Sequence, residues 1–456
     1  MSERKMIYLC LAHMSDEGME QKYIKEAFDT NWVVPMGPNV NAFEKNLEEF
    51  VAPEPSKGEC KVVCLSSGTA AVHLALIACG VKAGDEVIAQ DFTFCASSHP
   101  IMYLGAKPIF VGSEGETWNM DPKLLELAIK DRIAKTGKKP KAIVPVTLYG
   151  MPYRIDEIMA IADRYDIPVI EDTAEGMGSR FNGQVLGTFG QYGVLSFNGN
   201  KMITTSGGGA LICHSKEDAN EIKWYATQAR DAYPYYHHSA IGFNYRMSNV
   251  CAGIGRGQMT VLNDHLAHHK HVQALYEELL ADVPGIHVHS QPNDKCKMDN
   301  GQLMPVYDSN YWLCAATIDP NVRVKGQENA YKEIVKTAVG GAAGVIHAVD
   351  CATTDCQPNE NVEALRVFML DKKIECRPLW KPMHCQPVYR QGGIRNEKLA
   401  VKNEDIICQT SDVSVAYTRG LEVELFKVGF CLPAGPYVTD DDVRYIVDCI
   451  KEAIDI

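Results

Sequence analysis

Tyr192-Gly193-Val194-Leu195-Ser196-Phe197-Asn198-Gly199-Asn200-Lys201-Met202-Ile203-Thr204-Thr205-Ser206-Gly207-Gly208-Gly209 is the stretch on which the reading turns. It predicts a short buried strand, a tight loop containing glycine, one lysine, and a polar, glycine-rich return into the next apolar run. Lys201 is flanked by apolar and small residues rather than by a solvated charge run. An amine held out of water in such a place gives up its proton more readily. It is then a candidate nucleophile for Schiff-base chemistry with an aldehyde cofactor. A lysine on a surface loop has the same local pattern, so the rest of the chain must decide. The chemistry also needs an acid to keep a heterocycle protonated, a cradle for a phosphate, and an aromatic ring to stack.

Working outward, apolar runs of strand length alternate with helical periodicity from Cys60 to about Ala210. Val62 to Leu65, Glu86 to Ala89, Pro108 to Val111, Ala142 to Val146 and Pro168 to Ile170 read as strands. Val72, Ala75, Leu76 and Cys79 make a helical stripe stopped by Gly80, and a further helix is predicted over Ile155 to Tyr165. This alternation means βαβ crossovers and a mainly parallel sheet covered on both faces, with ligands beyond the carboxyl ends of its strands.

Towards the start, Ser15-Asp16-Glu17 predicts a capped helix, and Phe43, Leu47 and Phe50 share one face of a second. Asn31 to Pro38, containing Trp32, breaks between them as a hydrophobic connector or an active-site lip. After Met259 the pattern changes. A long helix (Leu262 to Leu280) precedes a strand at Tyr311 to Ala316, a helix at Val362 to Leu370, a strand at Ile374 to Cys376, and a last helix started by Thr439 with Asp442. The expected organisation is a large α/β domain over 30–260. A smaller α+β domain is expected from 1–29 and 261–456, with insertions around 291–309 and 338–361.

A chain of 456 residues with 46% hydrophobic and 23% charged residues is long enough for two packed domains. Its net charge of -13 argues against a general binder of nucleic acid or anionic membranes, but leaves room for a local basic pocket. No apolar run approaches the ~20 residues that span a bilayer, and no apolar segment follows the charged start. The 16 cysteines are scattered through predicted strands and helices, as buried thiols are in a reducing cytoplasm. Cys60 and Cys64 lack a second pair or suitably spaced histidines, so no metal site is expected.

The candidate partners of Lys201 sit where strands end. Asp172, in Glu171-Asp172-Thr173-Ala174-Glu175, follows an apolar strand and can hold a ring nitrogen protonated, although an N-cap aspartate looks the same. Ser67-Gly68-Thr69 lies between a strand and a helix, where free amides and a hydroxyl suit a phosphate; Ser196 can add a second hydroxyl. Phe94, in Asp91-Phe92-Thr93-Phe94, can stack on a ring or simply join the core. No Gly-x-Gly-x-x-Gly follows the first strand and no Gly-Lys-Ser/Thr occurs, which disfavours dinucleotide and P-loop readings.

Taken together, Ser67-Gly68-Thr69, Thr93-Phe94, Glu171-Asp172-x-Ala174, Ser196-Phe197-x-x-x-Lys201 and Thr205-x-Gly-Gly-Gly resemble the DegT-type sugar aminotransferases. The resemblance extends to Gly37-Pro38-x-Val40-x-x-Phe43-Glu44, Gly242 to Asn249 and Leu432-Pro433-Ala434-Gly435. It implies pyridoxal 5′-phosphate as cofactor and the fold type I, aspartate-aminotransferase-like architecture. The run Ser196 to Gly209 and the run Arg377-Pro378-Leu379-Trp380-Lys381-Pro382-Met383-His384 look most like the bacillosamine-type branch. That branch aminates C-4 of UDP-linked 4-keto-6-deoxy-N-acetylhexosamines.

Carried over by resemblance, Lys201 is the Schiff-base lysine and Asp172 the partner of the pyridine nitrogen. Ser67, Gly68, Thr69 and Ser196 hold the phosphate, and Phe94 covers the ring. Asn244 matches an asparagine that reaches the partner subunit's phosphate, which implies a homodimer with shared sites. Glu175 stands where many members have Gln or His. A carboxylate near the cofactor's phenolic oxygen must be hydrogen-bonded, protonated or turned toward substrate. Trp32, Arg246, Arg377 and His384 are the candidates for the nucleotide-sugar wall, though each cation can equally pair with an acid. The implied activity is transfer of an amino group from L-glutamate to the sugar, in the cytoplasm, for surface polysaccharide or glycan synthesis. C-3 amination, a non-catalytic cofactor-binding regulator and a nicotinamide dehydrogenase are the rivals.

Overall fold

The computed structural model describes residues 4–51, 60–297, 303–332, 356–401 and 404–455. Five consecutive pairings at its centre are parallel, linking Tyr192–Ser196, Ile170–Asp172, Ile143–Val144, Glu86–Gln90, Lys107–Val111 and Val415–Thr418 in that order. The second of these is made by the bridges Ile143 to Val169 and Val146 to Asp172. Antiparallel strands flank this centre: Gly209–Cys213 and then Lys61–Leu65 on one side, the hairpin Arg395–Val401 and Glu404–Thr410 on the other.

Residues of one strand alternate between two cores. Val62 and Cys64 join the cluster with Phe43, Leu47 and Phe197, while Val63 and Leu65 join the one with Leu74, Val194 and Leu211. The sheet is therefore buried on both faces, as its near-continuous apolar strands require. Two antiparallel steps return Lys61–Leu65 to the direction of Tyr192–Ser196. Ser66 to Thr69, Asp172, Ser196 and the turn after Gln90 thus share one rim.

A second, antiparallel sheet orders Ile286–Val288, Cys314–Ile318, Gly429–Leu432 and Arg377–Pro378. Its core gathers Val272 and Tyr276 of helix Leu262–Leu280, Leu365 of Glu360–Asp371 and Ile446 of Asp440–Ala453. The last helix starts with the expected reciprocal cap between Thr439 and Asp442.

Three local expectations need correction. Helix Met19–Asp29 starts after Gly18 rather than at Ser15, whose hydroxyl instead accepts from the Met19 amide and donates to buried Glu20. The strand expected at Tyr311 to Ala316 begins only at Cys314, which leaves Trp312 in the preceding loop. The expected domain boundaries also shift. Residues 395–418 complete the large sheet, because Val415–Thr418 pairs with a strand some 300 residues earlier. Helix Met19–Asp29 packs on Asn249–Met259, where a side chain at Gly257 would sit 2.5 Å from the Glu20 amide. Only residues before it, such as Ile7 bridging to Ile374, join the small sheet's core. Neither contact leaves a local periodicity to read. Within the expected insertions, Lys295–Lys297 pairs with Leu303–Pro305 and Tyr307–Asp308 with Arg180–Phe181; 298–302 and 338–355 lie outside the described residues. The fifteen cysteines described are free thiols.

Candidate active site

A cavity of about 320 Å³ opens at the shared rim and is lined by Ser67, Gly68, Thr69, Phe94, Asp172, Glu175, Ser196 and Lys201. Each follows or ends a strand of the large sheet, which is why side chains scattered over 135 positions meet. Lys201 is only 12% exposed. Its loop is closed by Thr205 N donating to Phe197 O at 2.9 Å and Lys201 N to Asn198 O at 2.9 Å. The amine lies 3.4 Å from Glu175 Oε1.

Asp172 and Glu171 are neighbours on one strand and so face opposite sides of the sheet. Glu171 points away from the cavity and accepts from the amides of Gly187, Phe189 and Gly190 at 3.1, 2.6 and 2.7 Å. Asp172 lines the cavity, with Oδ2 accepting from Ser97 Oγ at 2.7 Å and Oδ1 from Ala174 N at 3.1 Å. Burial pushes the Asp172 carboxyl above the ordinary range, against the pull of Ser97, Ala174 and Lys201. A cationic ring nitrogen is the kind of partner that would offset that cost. Glu175 is likewise pushed up by burial, opposed by Lys201 and by the Tyr149 amide, which donates to Oε2 at 2.7 Å.

Ser67 caps helix Gly68–Ala78 through Ala70 N, and the first-turn amides of Gly68 and Thr69 stand outside the helical ladder. Glycine is required here for approach. A Cβ on Gly209 would lie 2.3 Å from Gly68 N, and one on Gly68 would lie 3.1 Å from Ser196 Cβ. The return from the lysine loop therefore abuts this helix start, and the Ser196 hydroxyl joins its amides. Amides, helix dipole and hydroxyls make an anion cradle at one end of the cavity, with an acid on its floor and an amine beside it. That donor set fits a phosphorylated pyridine aldehyde.

Phe94 is half exposed at the rim, its ring 5.7 Å from that of Trp380. The other expected residues do not line the cavity. Arg246 donates to Glu44 Oε1 and to Cys64 O, both at 2.9 Å, and so ties helix Pro38–Val51 to strand Lys61–Leu65. Arg377 is engaged by Glu375 at 2.6 Å. His384 is buried against Asp91, beside Glu422, and anchors the Trp380 to Gln386 turn to the end of Glu86–Gln90. Burial opposes its charge, but Asp91 pushes the imidazole up to about 9. Trp32 is exposed on a segment held by Asn249 Nδ2 at 2.9 Å. Cations on an acidic chain found carboxylates, which sequence spacing does not reveal. Asn244 is exposed, bridged to Thr227 and away from the cavity.

Sequence reasoning missed Ser97, Tyr149, Trp312 and Trp380. Ser97 follows Phe94 by one turn, and that spacing was the one local signal available. Trp380 lies within the run Arg377 to His384, and Trp312 reads in the sequence as a strand residue.

The sequence pattern of the DegT/DnrJ/EryC1/StrS aminotransferase family matches residues 15–316. The chain belongs to that family. It is 36% identical to EpsN of Bacillus subtilis over 98% of this chain and 95% of that protein. It is 31% identical to the GDP-perosamine synthase of Escherichia coli O157:H7 over 98% and 99%. Spr1654 from Streptococcus pneumoniae, in its PLP form, superposes with a TM-score of 0.74 at 19% identity, covering 99% of each chain. The fold is that of the type I pyridoxal phosphate enzymes, and the cofactor is pyridoxal 5′-phosphate. Among the described residues no helix is long and apolar enough to cross a membrane.

Proposed function

We propose that this family member moves the amino group of L-glutamate to C-4 of a UDP-linked 4-keto-6-deoxy-N-acetylhexosamine, in the cytoplasm, for surface polysaccharide or glycan synthesis. The observation that carries the reading is the meeting of the Lys201 amine, the Asp172 carboxylate and the Gly68–Thr69 amides around one cavity. The choice of acceptor is supported by the runs Ser196 to Gly209 and Arg377 to His384, which resemble the bacillosamine-type branch.

When bound, pyridoxal phosphate supplies an aldehyde that captures an amine and a protonated ring that takes up electrons from the adjoining carbon. Lys201 carries it, and once released its Nζ removes a proton from the amino-bearing carbon of glutamate in one half-reaction. In the other it delivers a proton to C-4 of the sugar. Asp172, oriented by Ser97 and Ala174, keeps the proton on the pyridine nitrogen. Gly68, Thr69, Ser67 and Ser196 would bind the phosphate and Phe94 with Trp380 would cover the ring, since all six line the cavity. Glu175 keeps the free amine at hand through its 3.4 Å contact. Asn244, exposed on its own chain, would reach the phosphate of a second copy, giving a homodimer with shared sites.

Three relatives named GDP-perosamine synthase, 28–31% identical over 95% or more of this chain, favour a second reading in which the keto sugar is GDP-linked. One experiment separates the two. The chain loaded with pyridoxal phosphate is given glutamate, its visible absorbance followed, and then UDP- or GDP-linked 4-keto-6-deoxy sugars are offered. Expected are a glutamate-dependent spectral change and amination of the UDP sugar. Faster amination of the GDP sugar replaces the acceptor, and no spectral change favours a non-catalytic regulator. Lys201→Arg should abolish both absorbance and turnover; a variant that still turns over ends the assignment.

A further inference from the structure

Lys201 has a second neighbour besides Glu175. Its Nζ lies 3.9 Å from the ring centroid of Trp312, a fully buried side chain that lines the cavity. The indole N–H of the same residue donates to the carbonyl of Asn200 at 2.6 Å, one residue before the lysine. A single tryptophan thus grips the lysine loop by its backbone and carries the amine on its face. The amine lies between an indole and a carboxylate.

The grip is itself held. Trp312 N donates to Asn310 Oδ1 at 2.9 Å, and Asn310 Nδ2 donates to the carbonyls of Glu175 and Met177, each at 2.9 Å. Gly150, at φ 93°, leaves the space for this amide, because a Cβ there would lie 1.8 Å from Asn310 Oδ1. Trp312 is therefore pinned to the Glu175 loop on one side and continues into the small-sheet strand Cys314–Ile318 on the other. A core-filling role would need neither the N–H contact nor the ring centred under an ammonium. An ammonium over an indole face, shielded from water, is attracted by the ring's quadrupole.

We propose that Trp312 is a positioning residue for Lys201, holding the amine in a fixed waiting place opposite Glu175 whenever it is not bonded to the cofactor. This rests on the reading of Lys201 as the cofactor-carrying lysine. Transamination in two half-reactions frees that amine once, in the first, and recaptures it once, at the end of the second, so its waiting place sets how far it must travel to the reacting carbon.

The test begins with cofactor-free protein. Cyanate labelling of Lys201 at pH 7, read by peptide mass spectrometry, reports how readily the amine leaves its place to react. Trp312→Leu should speed labelling about five- to tenfold, because the amine is no longer held against the ring face. Trp312→Phe, which keeps a ring face, should stay within about twofold of wild type. In loaded enzyme, Trp312→Leu should lower kcat far more than it changes either KM. Equal labelling of Trp312→Leu and wild type, at equal thermal midpoints, overturns the proposal.

A second measurement leaves Trp312 in place in case the leucine variant does not fold. In protein labelled with 5-fluorotryptophan, the fluorine resonance that is lost in Trp312→Phe should move when Lys201→Met is made without cofactor. An unmoved resonance overturns the proposal. The same Lys201→Met chain mixed with pyridoxal phosphate tests the lysine reading on its own. Persisting Schiff-base absorbance there removes that reading, and the proposal with it, whatever the resonance does.

Discussion

The floor of the cavity and the aromatic wall beside it differ in how their parts are delivered. Ser67 to Thr69, Phe94, Asp172 and Ser196 each sit at or just beyond the end of a large-sheet strand, so strand direction alone brings them to one rim. Trp312 and Trp380 come from segments that adjoin Cys314–Ile318 and Arg377–Pro378 of the small sheet. Trp380 is fixed by its amide donating to Tyr149 Oη at 2.8 Å, and Tyr149 in turn holds Glu175 through its own amide. The floor supplies charge and the wall supplies shape. Displacing a wall residue should therefore act through where the floor's amine sits, while displacing a floor residue should remove the chemistry itself.

The sharpest test of the floor uses two adjacent residues. Asp172→Asn should lower kcat on the order of 10²–10³-fold, with little loss of stability. Glu171→Ala should do the reverse, because three amides, two of them buried, lose their acceptor. We expect about 4 kcal/mol less stability in denaturant unfolding and kcat per folded chain within about twofold. Equal effects of both kinds at both positions would mean that the sheet does not separate chemistry from structure here.

A smaller effect belongs to the anchor of the wall. His384 is raised on folding from 6.5 to about 9 by Asp91, despite burial. The stabilisation from this pair is complete below pH 6.5 and is lost as the pH rises through 9, amounting to on the order of 3 kcal/mol. The thermal midpoint of wild type should fall over that window, and that of His384→Gln should be flatter. Smallest of all, Arg377→Ala should change stability by less than about 1 kcal/mol and leave both KM values unmoved, since its cation faces Glu375 at a half-exposed site. A large rise in the KM for the sugar would return Arg377 to the substrate wall.

Much of the floor was legible because its residues are read relative to strands. An apolar run ending in Glu171-Asp172, or a Ser-Gly-Thr before a helical stripe, carries its own geometry. Which carboxylate faces the cavity follows from the two-residue repeat once the strand's register is known, and that register came from pairing with Tyr192–Ser196. For the cations the sequence left two readings open, for a physical reason. Arg246, Arg377 and His384 look alike in sequence, yet each lies against an acid that another part of the chain supplies or that stands two residues away.

The amino-acid sequence by itself determined the alternation of strands and helices, the lysine loop, the helix-start cradle and the acid on the floor, because each is written within one turn or one strand. Only the tertiary structure decided that residues 395–418 complete the large sheet, that Arg246 and His384 are braces, and that Trp312 lies against Lys201. Those contacts join segments 110 to 310 positions apart, and no local period of 2 or 3.6 residues records them.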